Sequence, residues 1–283
     1  MLNGILGAAF LQSAGRAGKG EKVGKIQLFT QSANPTISSI TGTDIVVNSI
    51  VSGQPHTDTY ASLSGDTLAI SADKNTEIII TGIVTEMENV TNTDFISIKA
   101  KNTALTQLVC TDCYTLQTLD LSQNTALTQL VCGSCYILQT LDLSQNTALT
   151  QLVCSSCYTL QTLDLSNNTA LTQLDCTDCQ TLQTLDLSQN TALTQLDCGS
   201  CYILQTLDLS QNTALTQLDC GSSAKIETIK YPATNEDVAT AIADAITDAD
   251  ADNGTVYTDS DAAYYSTIAD AATAKGWTIE QLS

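Results

Sequence analysis

The sequence predicts a mainly β solenoid, a coil of short strands stacked turn on turn, preceded by a β-rich N-terminal domain and closed by a small α+β cap. Three observations predict it. A 22-residue unit, LTQLVCTDCYTLQTLDLSQNTA, begins at Leu105 and returns at Leu127, Leu149, Leu171, Leu193 and Leu215. A fixed period of this size marks architectures in which each unit buries its apolar face only against its neighbours. Within each unit, polar residues flank single leucines, the alternation of a strand with one inward face. Aromatic residues make up only 5% of the chain, so the core is expected to be aliphatic.

Residues 1–25 read as an anchor helix followed by a basic linker. Leu2, Ile5, Leu6 and Phe10 fall on one side of a short helix, and Arg16, Lys19, Lys22 and Lys25 follow in a glycine-rich stretch. The charges follow the apolar run, the reverse of a secretory leader. The run is also far shorter than the ~20 apolar residues that cross a bilayer. An apolar helix outside any core calls for a protein cover, so these four apolar residues are expected to dock in a larger assembly.

Residues 26–104 are rich in Thr, Ser, Ile and Val, in stretches such as TDIVVNSIV, TEIIITGIVTEM and FISIKA separated by turn formers. β-branched runs of this kind predict short strands, arranged as a small β-sandwich or a β-rich cap on the coil. The segment from Asp94 to Asn102 reads as a degenerate half-repeat, as expected of a terminal unit that faces water on one side.

Residues 105–231 form the repeat proper. Each unit divides into two 11-residue halves in one register, LTQLVCTDCYT and LQTLDLSQNTA. Both fit L-x-x-L-x-L-x-x-N-x-x, with cysteine replacing the third leucine and the asparagine of the first half. The pattern resembles the leucine-rich repeat family, specifically its bacterial class, here with a short repeat nested twice per turn. That resemblance implies inward leucines and an asparagine ladder that satisfies backbone groups of the turns. Two halves per turn predict strands on both faces of a flattened coil, with turns ~4.8 Å apart.

The cysteines form five CxxC pairs, Cys110/Cys113, Cys132/Cys135, Cys154/Cys157, Cys176/Cys179 and Cys198/Cys201, spaced as zinc ligands can be. Intra-turn disulfides are the other reactive alternative. Register favours neither, because Cys110 holds the slot of Leu121 and Cys113 the slot of Asn124. A buried thiol is a small hydrophobe with a weak donor. In the last turn Ser223 replaces the second cysteine, which a hydrogen-bonding role tolerates and a metal or disulfide does not. A reduced cysteine ladder is therefore expected, assembled in a reducing compartment.

Two outward rows are candidate surfaces. Asp120, Asp142, Asp164, Asp186 and Asp208 run along one face, read as a solvated row with calcium as an alternative. On the other face the central position is Val109, Val131 and Val153, then Asp175, Asp197 and Asp219. Beside it stand Tyr114, Tyr136, Tyr158, Gln180 and Tyr202. An apolar and aromatic strip on a polar rod suits a protein or a sugar, so Val109, Val131, Val153, Tyr114, Tyr136, Tyr158 and Tyr202 are the candidate binding residues.

Residues 232–283 predict the cap. Pro232 ends the coil, and a helix starts near Thr234/Asn235 with Val238, Ala241, Ile242, Ala245 and Ile246 on one face. A second helix is expected from about Asp261 to Lys275, stopped by Gly276 and followed by a short strand at Trp277. Between them Asp248, Asp250 and Asp252 resemble an EF-hand loop, but Gly254 falls one position late, so calcium here is only a candidate ligand and no cofactor is otherwise implied.

A net charge of −20 argues against a nucleic-acid surface. The single histidine, His56, and the lack of nucleophile, phosphate-loop or metalloprotease motifs point to a non-enzymatic protein. The expected role is structural and binding: a component of a phage virion, such as a fibre, spike or capsid decoration. It would be anchored by its N-terminus and project the solenoid toward a protein or a host surface glycan. The alternative is a secreted or cell-surface bacterial adhesin built on leucine-rich repeats.

Overall fold

The computed structural model describes residues 24–30, 36–69, 76–88, 95–101, 104–223, 225–232, 234–249 and 254–282. The proposed anchor residues Leu2, Ile5, Leu6 and Phe10 lie outside them, as do Asp250 and Asp252. Among the described residues no helix is long and apolar enough to cross a membrane.

The chain opens with five strands, β1 (Gly24–Thr30), β2 (Thr36–Val51), β3 (Gln54–Ala69), β4 (Thr76–Glu88) and β5 (Phe95–Lys101). They form one antiparallel sheet ordered β3-β2-β4-β1-β5. Of the two arrangements the composition allows, the structure is thus the cap. Ile37, Ile40, Ile45, Val47, Met87 and Ile98 carry its apolar side into the common core.

The solenoid contributes nine three-residue strands: β6 (Gln107–Val109), β7 (Thr118–Asp120), β8 (Gln129–Val131), β9 (Gln151–Val153), β10 (Gln173–Asp175), β11 (Gln195–Asp197), β12 (Thr206–Asp208), β13 (Gln217–Asp219) and β14 (Thr228–Lys230). The cap sheet hands over to the coil at two places. β4 pairs in parallel with β6, setting Met87 beside Leu108, and β5 pairs in parallel with β7, setting Ile98 beside Leu119. β5 is thus the half-turn legible at 94–102. The cap covers the first coil edge with hydrogen bonds instead of leaving it to water.

Inside the coil every repeat leucine from Leu105 to Leu215 is buried, and so are all eleven cysteines. The two sides of the coil are not equivalent. The Gln-Leu-Val/Asp side is an unbroken parallel ladder, β6-β8-β9-β10-β11-β13, in register without slips. The Thr-Leu-Asp side forms ladders only at its ends, at β7 and at β12-β14. At 140–142, 162–164 and 184–186 the buried leucine persists without strand pairing. The difference follows from bonding density. On the first side each threonine carbonyl accepts two amides and a hydroxyl of the next turn, as Thr106 O does from Thr128 N at 2.8 Å, Gln129 N at 3.1 Å and Thr128 Oγ1 at 3.0 Å. On the second side the inter-turn contact Gln183 N to Gln161 O is stretched to 3.5 Å.

The coil ends as a β-α-β-α-β unit. α1 (Glu236–Asp248) is capped by Asn235, whose side chain accepts from Val238 N at 3.1 Å, with Glu236 and Asp237 at its positive end. Its buried Val238, Ile242 and Ile246 cover the last turn. β15 (Thr255–Thr258), α2 (Tyr265–Lys275) and β16 (Thr278–Gln281) follow, and β15 and β16 extend the β12-β14 ladder in parallel. The strand β15 was not expected. α2 begins four residues later than predicted because Asp259 closes its own turn, taking Asp261 N on its carboxylate at 3.0 Å and Ala262 N on its carbonyl at 3.0 Å. Gly276 stops α2 in the left-handed conformation, φ 80°. Gly254, read from the sequence as a displaced calcium-loop glycine, has a packing role: a Cβ there would lie 2.3 Å from Trp277 Cε2.

Candidate binding face and its internal ladders

Three columns of donors, two of them buried, hold the turns in register. Asn146 Nδ2 donates to Leu121 O at 3.2 Å and Asn124 O at 2.8 Å, and Asn168, Asn190 and Asn212 repeat both contacts one turn on. In the sister half, Cys135 Sγ donates to Cys110 O at 3.4 Å, with Cys157, Cys179 and Cys201 repeating it onto Cys132, Cys154 and Cys176. Both series reach back 25 residues, so cysteine and asparagine perform one task in homologous slots. Ser223 does the same in the last turn, with Oγ donating to Cys198 O at 3.1 Å and accepting Cys201 N at 3.3 Å. The threonine column, from Thr128 to Thr216, is the third.

The cysteines are free and buried. The first thiol of each pair titrates well above its ordinary value. For Cys110, Cys132, Cys154 and Cys176 the main cause is the hydrogen bond to the second thiol of the next turn, followed by burial. For Cys198 burial comes first, and burial followed by Asp219 pushes Cys220 up to about 12. These first thiols, held protonated, are poor nucleophiles and poor metal ligands, whereas Cys157 and Cys201 are lowered, chiefly by the hydrogen bond with Cys132 and Cys176 of the turn before. The zinc-like spacing is therefore absorbed by a cysteine ladder.

One strained position per turn supports this side. Asp112, Ser134, Ser156, Asp178, Ser200 and Ser222 adopt φ between 56° and 60°. For a residue with a Cβ this costs about 1–2 kcal/mol. It turns the amide along the coil axis, so that Ser134 N reaches Ser155 O at 2.7 Å and Ser156 N reaches Thr177 O at 2.7 Å. The C-x-x-C sequence gave no sign of this; only the short polar residue before the second cysteine is compatible with it.

The face of the unbroken ladder presents two outward columns. Gln107, Gln129, Gln151, Gln173, Gln195 and Gln217 align across the ladder, and Gln129 Nε2 donates to Gln151 Oε1 at 2.8 Å. Val109, Val131, Val153, Asp175, Asp197 and Asp219 form the other. Their later turns, from Gln151 to Asp219, line a groove of about 390 Å³. Asp175, Asp197 and Asp219 also brace their turns, accepting Thr177 N at 3.0 Å, Gly199 N at 3.2 Å and Gly221 N at 3.0 Å. Thr177 Oγ1 donates across to Asp197 as well.

Beside the valines, Tyr114, Tyr136 and Tyr158 stack with ring centroids 4.7 Å apart and interplanar angles of 8° and 12°. Stacking of this kind adds to burial of the rings. Tyr202, separated by Gln180, stands outside the stack and is 44% exposed beside Ile203, 40% exposed. The structure thus aligns Val109, Val131 and Val153 in one column and stacks Tyr114, Tyr136 and Tyr158 in another, and leaves Tyr202 outside the stack.

The opposite aspartate row is built into the turns. Asp142, Asp164 and Asp186 each accept the amide of the serine two residues on, at 3.0, 3.0 and 2.9 Å. These serine bonds hold the three carboxyls below the usual carboxylate range, outweighing the neighbouring aspartates that raise Asp142 and Asp186. Partial burial raises Asp208, but Ser210 and Lys230 bring it down, with Lys230 Nζ 2.9 Å from the carboxylate. The Asp-Leu-Ser spacing was the available signal for these caps. Among the described residues no cluster of three or more His, Cys, Asp or Glu is arranged to hold a metal ion.

No family model and no curated protein matches the chain. Among solved structures it is similar to the functional domain of InlJ from Listeria monocytogenes, which is described as including a cysteine ladder. Identity is 25%, the match covers 77% of this chain and 56% of that one, and the TM-score is 0.32. The chain therefore spans little more than half of that structure.

Proposed function

We propose that the protein is a non-enzymatic binding module whose Gln-Leu-Val/Asp face engages a protein or glycan partner. The observation that carries this reading is the composition of the outward columns. They are apolar and aromatic through the first three turns, at Val109, Val131, Val153 and the Tyr114-Tyr136-Tyr158 stack, and acidic from Asp175 on. The inward positions already explain the fold, so the surface change at the fourth turn is free to serve recognition.

The proposed setting is a phage virion, with the chain held through residues 1–25 and the solenoid projecting outward as a fibre, spike or capsid decoration. Eleven buried free thiols support assembly in a reducing cytoplasm, as that setting requires. Quantifying the chain in purified particles, with and without residues 1–25, tests the anchor: loss from the particle with an intact solenoid supports it. Finding the chain on the bacterial surface instead favours the adhesin. For the face, a glycan array and host-cell binding are compared between the full chain and Tyr136→Ala. Equal binding by both sets this strip aside.

A further inference from the structure

Among the described residues β3 has one hydrogen-bonded neighbour, β2, and no strand pairs with its other edge. Edge strands are normally kept from pairing by lysines, bulges, short length or a cover. From Gln54 to Leu63 this edge runs for 10 residues without a lysine and without a break in its register against β2. Its side chains at Gln54, Thr57, Thr59, Ala61 and Ser62 are exposed.

The turn that leads into it fixes which backbone groups point outward. Ser52 and Gly53 have φ 50° and 73°, a two-residue turn with both central residues left-handed. Such a turn makes Val51 and Gln54 a hydrogen-bonded pair, so Gln54, His56, Asp58, Tyr60 and Ser62 face β2. Pro55, Thr57, Thr59, Ala61 and Leu63 then face away. Proline independently fits this phase: Pro55, without an N–H, falls where β2 asks for no donor.

We infer that this edge is a homodimer interface, pairing antiparallel with β3 of a second copy about a two-fold axis at Thr59. In that register Thr59 bonds its own counterpart, Thr57 bonds Ala61 of the second copy, and the carbonyl of Pro55 accepts Leu63 N–H. The outward groups from Pro55 to Leu63 are used from both sides. Charge selects the register as well. Asp58, the one carboxylate in the run, lies opposite the phenol of Tyr60, a donor. Moving the axis to Asp58 would set two carboxylates face to face. An isologous pair covers both edges at once and closes, so the assembly stops at two. The net charge of −20 on each copy opposes approach, so added salt strengthens the dimer.

Sedimentation equilibrium of the full chain tests this, with Thr59→Pro as the disrupting variant, because proline there removes an outward N–H and none that bonds β2. Expected are a dimer for the wild type, tighter at higher salt, and a monomer for Thr59→Pro with unchanged circular dichroism. Should Thr59→Pro disturb the arm, amide exchange of the wild type decides. Thr57, Thr59, Ala61 and Leu63 should lose protection on dilution while Asp58 and Tyr60 keep theirs. A wild type that stays monomeric overturns the inference, even with those amides protected, since another segment of the same chain then covers the edge. A dimer retained in folded Thr59→Pro overturns it equally.

Discussion

Replacing one rung of the cysteine ladder separates its two conceivable jobs, apolar filler and hydrogen-bond donor. Cys157 is fully buried, and its Sγ donates to Cys132 O at 3.4 Å. Cys157→Ala removes the thiol and the donor together. Losing the thiol's apolar contacts costs about 1 kcal/mol, and leaving a buried carbonyl without this partner costs about 1–3 kcal/mol. Cys157→Ser gives up the sulfur's apolar contacts but keeps a donor, and Ser223 shows the geometry, with Oγ 3.1 Å from Cys198 O. Serine should therefore be the milder change, by about 1–2 kcal/mol. Urea unfolding of both variants, read by circular dichroism, gives the order of their midpoints. If alanine proves equal to or more stable than serine, the thiol is only filler, and the equivalence of the cysteine and asparagine columns fails.

Three further outcomes follow from the same geometry. The thiols of Cys110, Cys132, Cys154, Cys176 and Cys198 titrate well above the unfolded value and Cys220 at about 12. Through these six thiols the folded chain keeps protons that the unfolded chain releases, so their contribution is full below the unfolded cysteine pKa of ~8.5 and is lost as pH rises through their folded values, outnumbering the opposite contribution of Cys157 and Cys201, which are lowered. Thermal midpoints measured from pH 7 to 11 should drop steeply above pH ~9, and a flat profile contradicts this. Gly254→Ala pushes a methyl into the Trp277 indole, with Cβ 2.3 Å from Cε2. It should cost about 1–3 kcal/mol of overpacking and loosen the β15-α2-β16 unit, seen as a red-shifted tryptophan emission. Ser166→Ala removes the hydroxyl bond that does most to lower Asp164 and leaves the backbone amide bond in place, so its carboxyl should titrate higher than in the wild type by carbon-detected NMR. Because a depressed carboxyl contributes stability above its unfolded pKa of ~3.9 and loses it as pH falls through the folded one, the variant should also unfold less steeply in acid.

The coil was legible in the sequence because its period is stated six times, and period alone assigns Leu108, Leu119 and Leu121 to the core. The substitution of Ser223 for a cysteine was enough to read the second thiol as a donor, and Cys201, Cys179, Cys157 and Cys135 confirm it atom by atom. What the pattern concealed were properties of the backbone. The left-handed residue at Ser134 and its equivalents leaves no compositional mark, since serine, aspartate and their neighbours are all small and polar. The unequal bonding of the two sides depends on how many amides meet at Thr106 and its equivalents, which both halves of the repeat spell similarly. The row from Asp120 to Asp208 read as solvated charge and Asp142 is indeed exposed, but the pattern did not announce that Asp142, and Asp175 on the other face, also cap their turns through the amide two residues on. The tyrosine column was legible as a strip, and the period of the coil dictates its stacking wherever three tyrosines follow in sequence.

The account rests most directly on eleven reduced thiols sealed inside the coil. Reaction with a thiol-specific reagent, run on the native chain at pH 7.5 without reductant and again in denaturant, measures this in one titration. The native protein should show no fast-reacting thiol, and the unfolded chain should release the full complement of eleven. Rapid reaction in the native state would place a cysteine at the surface. A deficit after unfolding would mean disulfides or tightly held metal, and the ladder would then be something other than a column of hydrogen-bond donors.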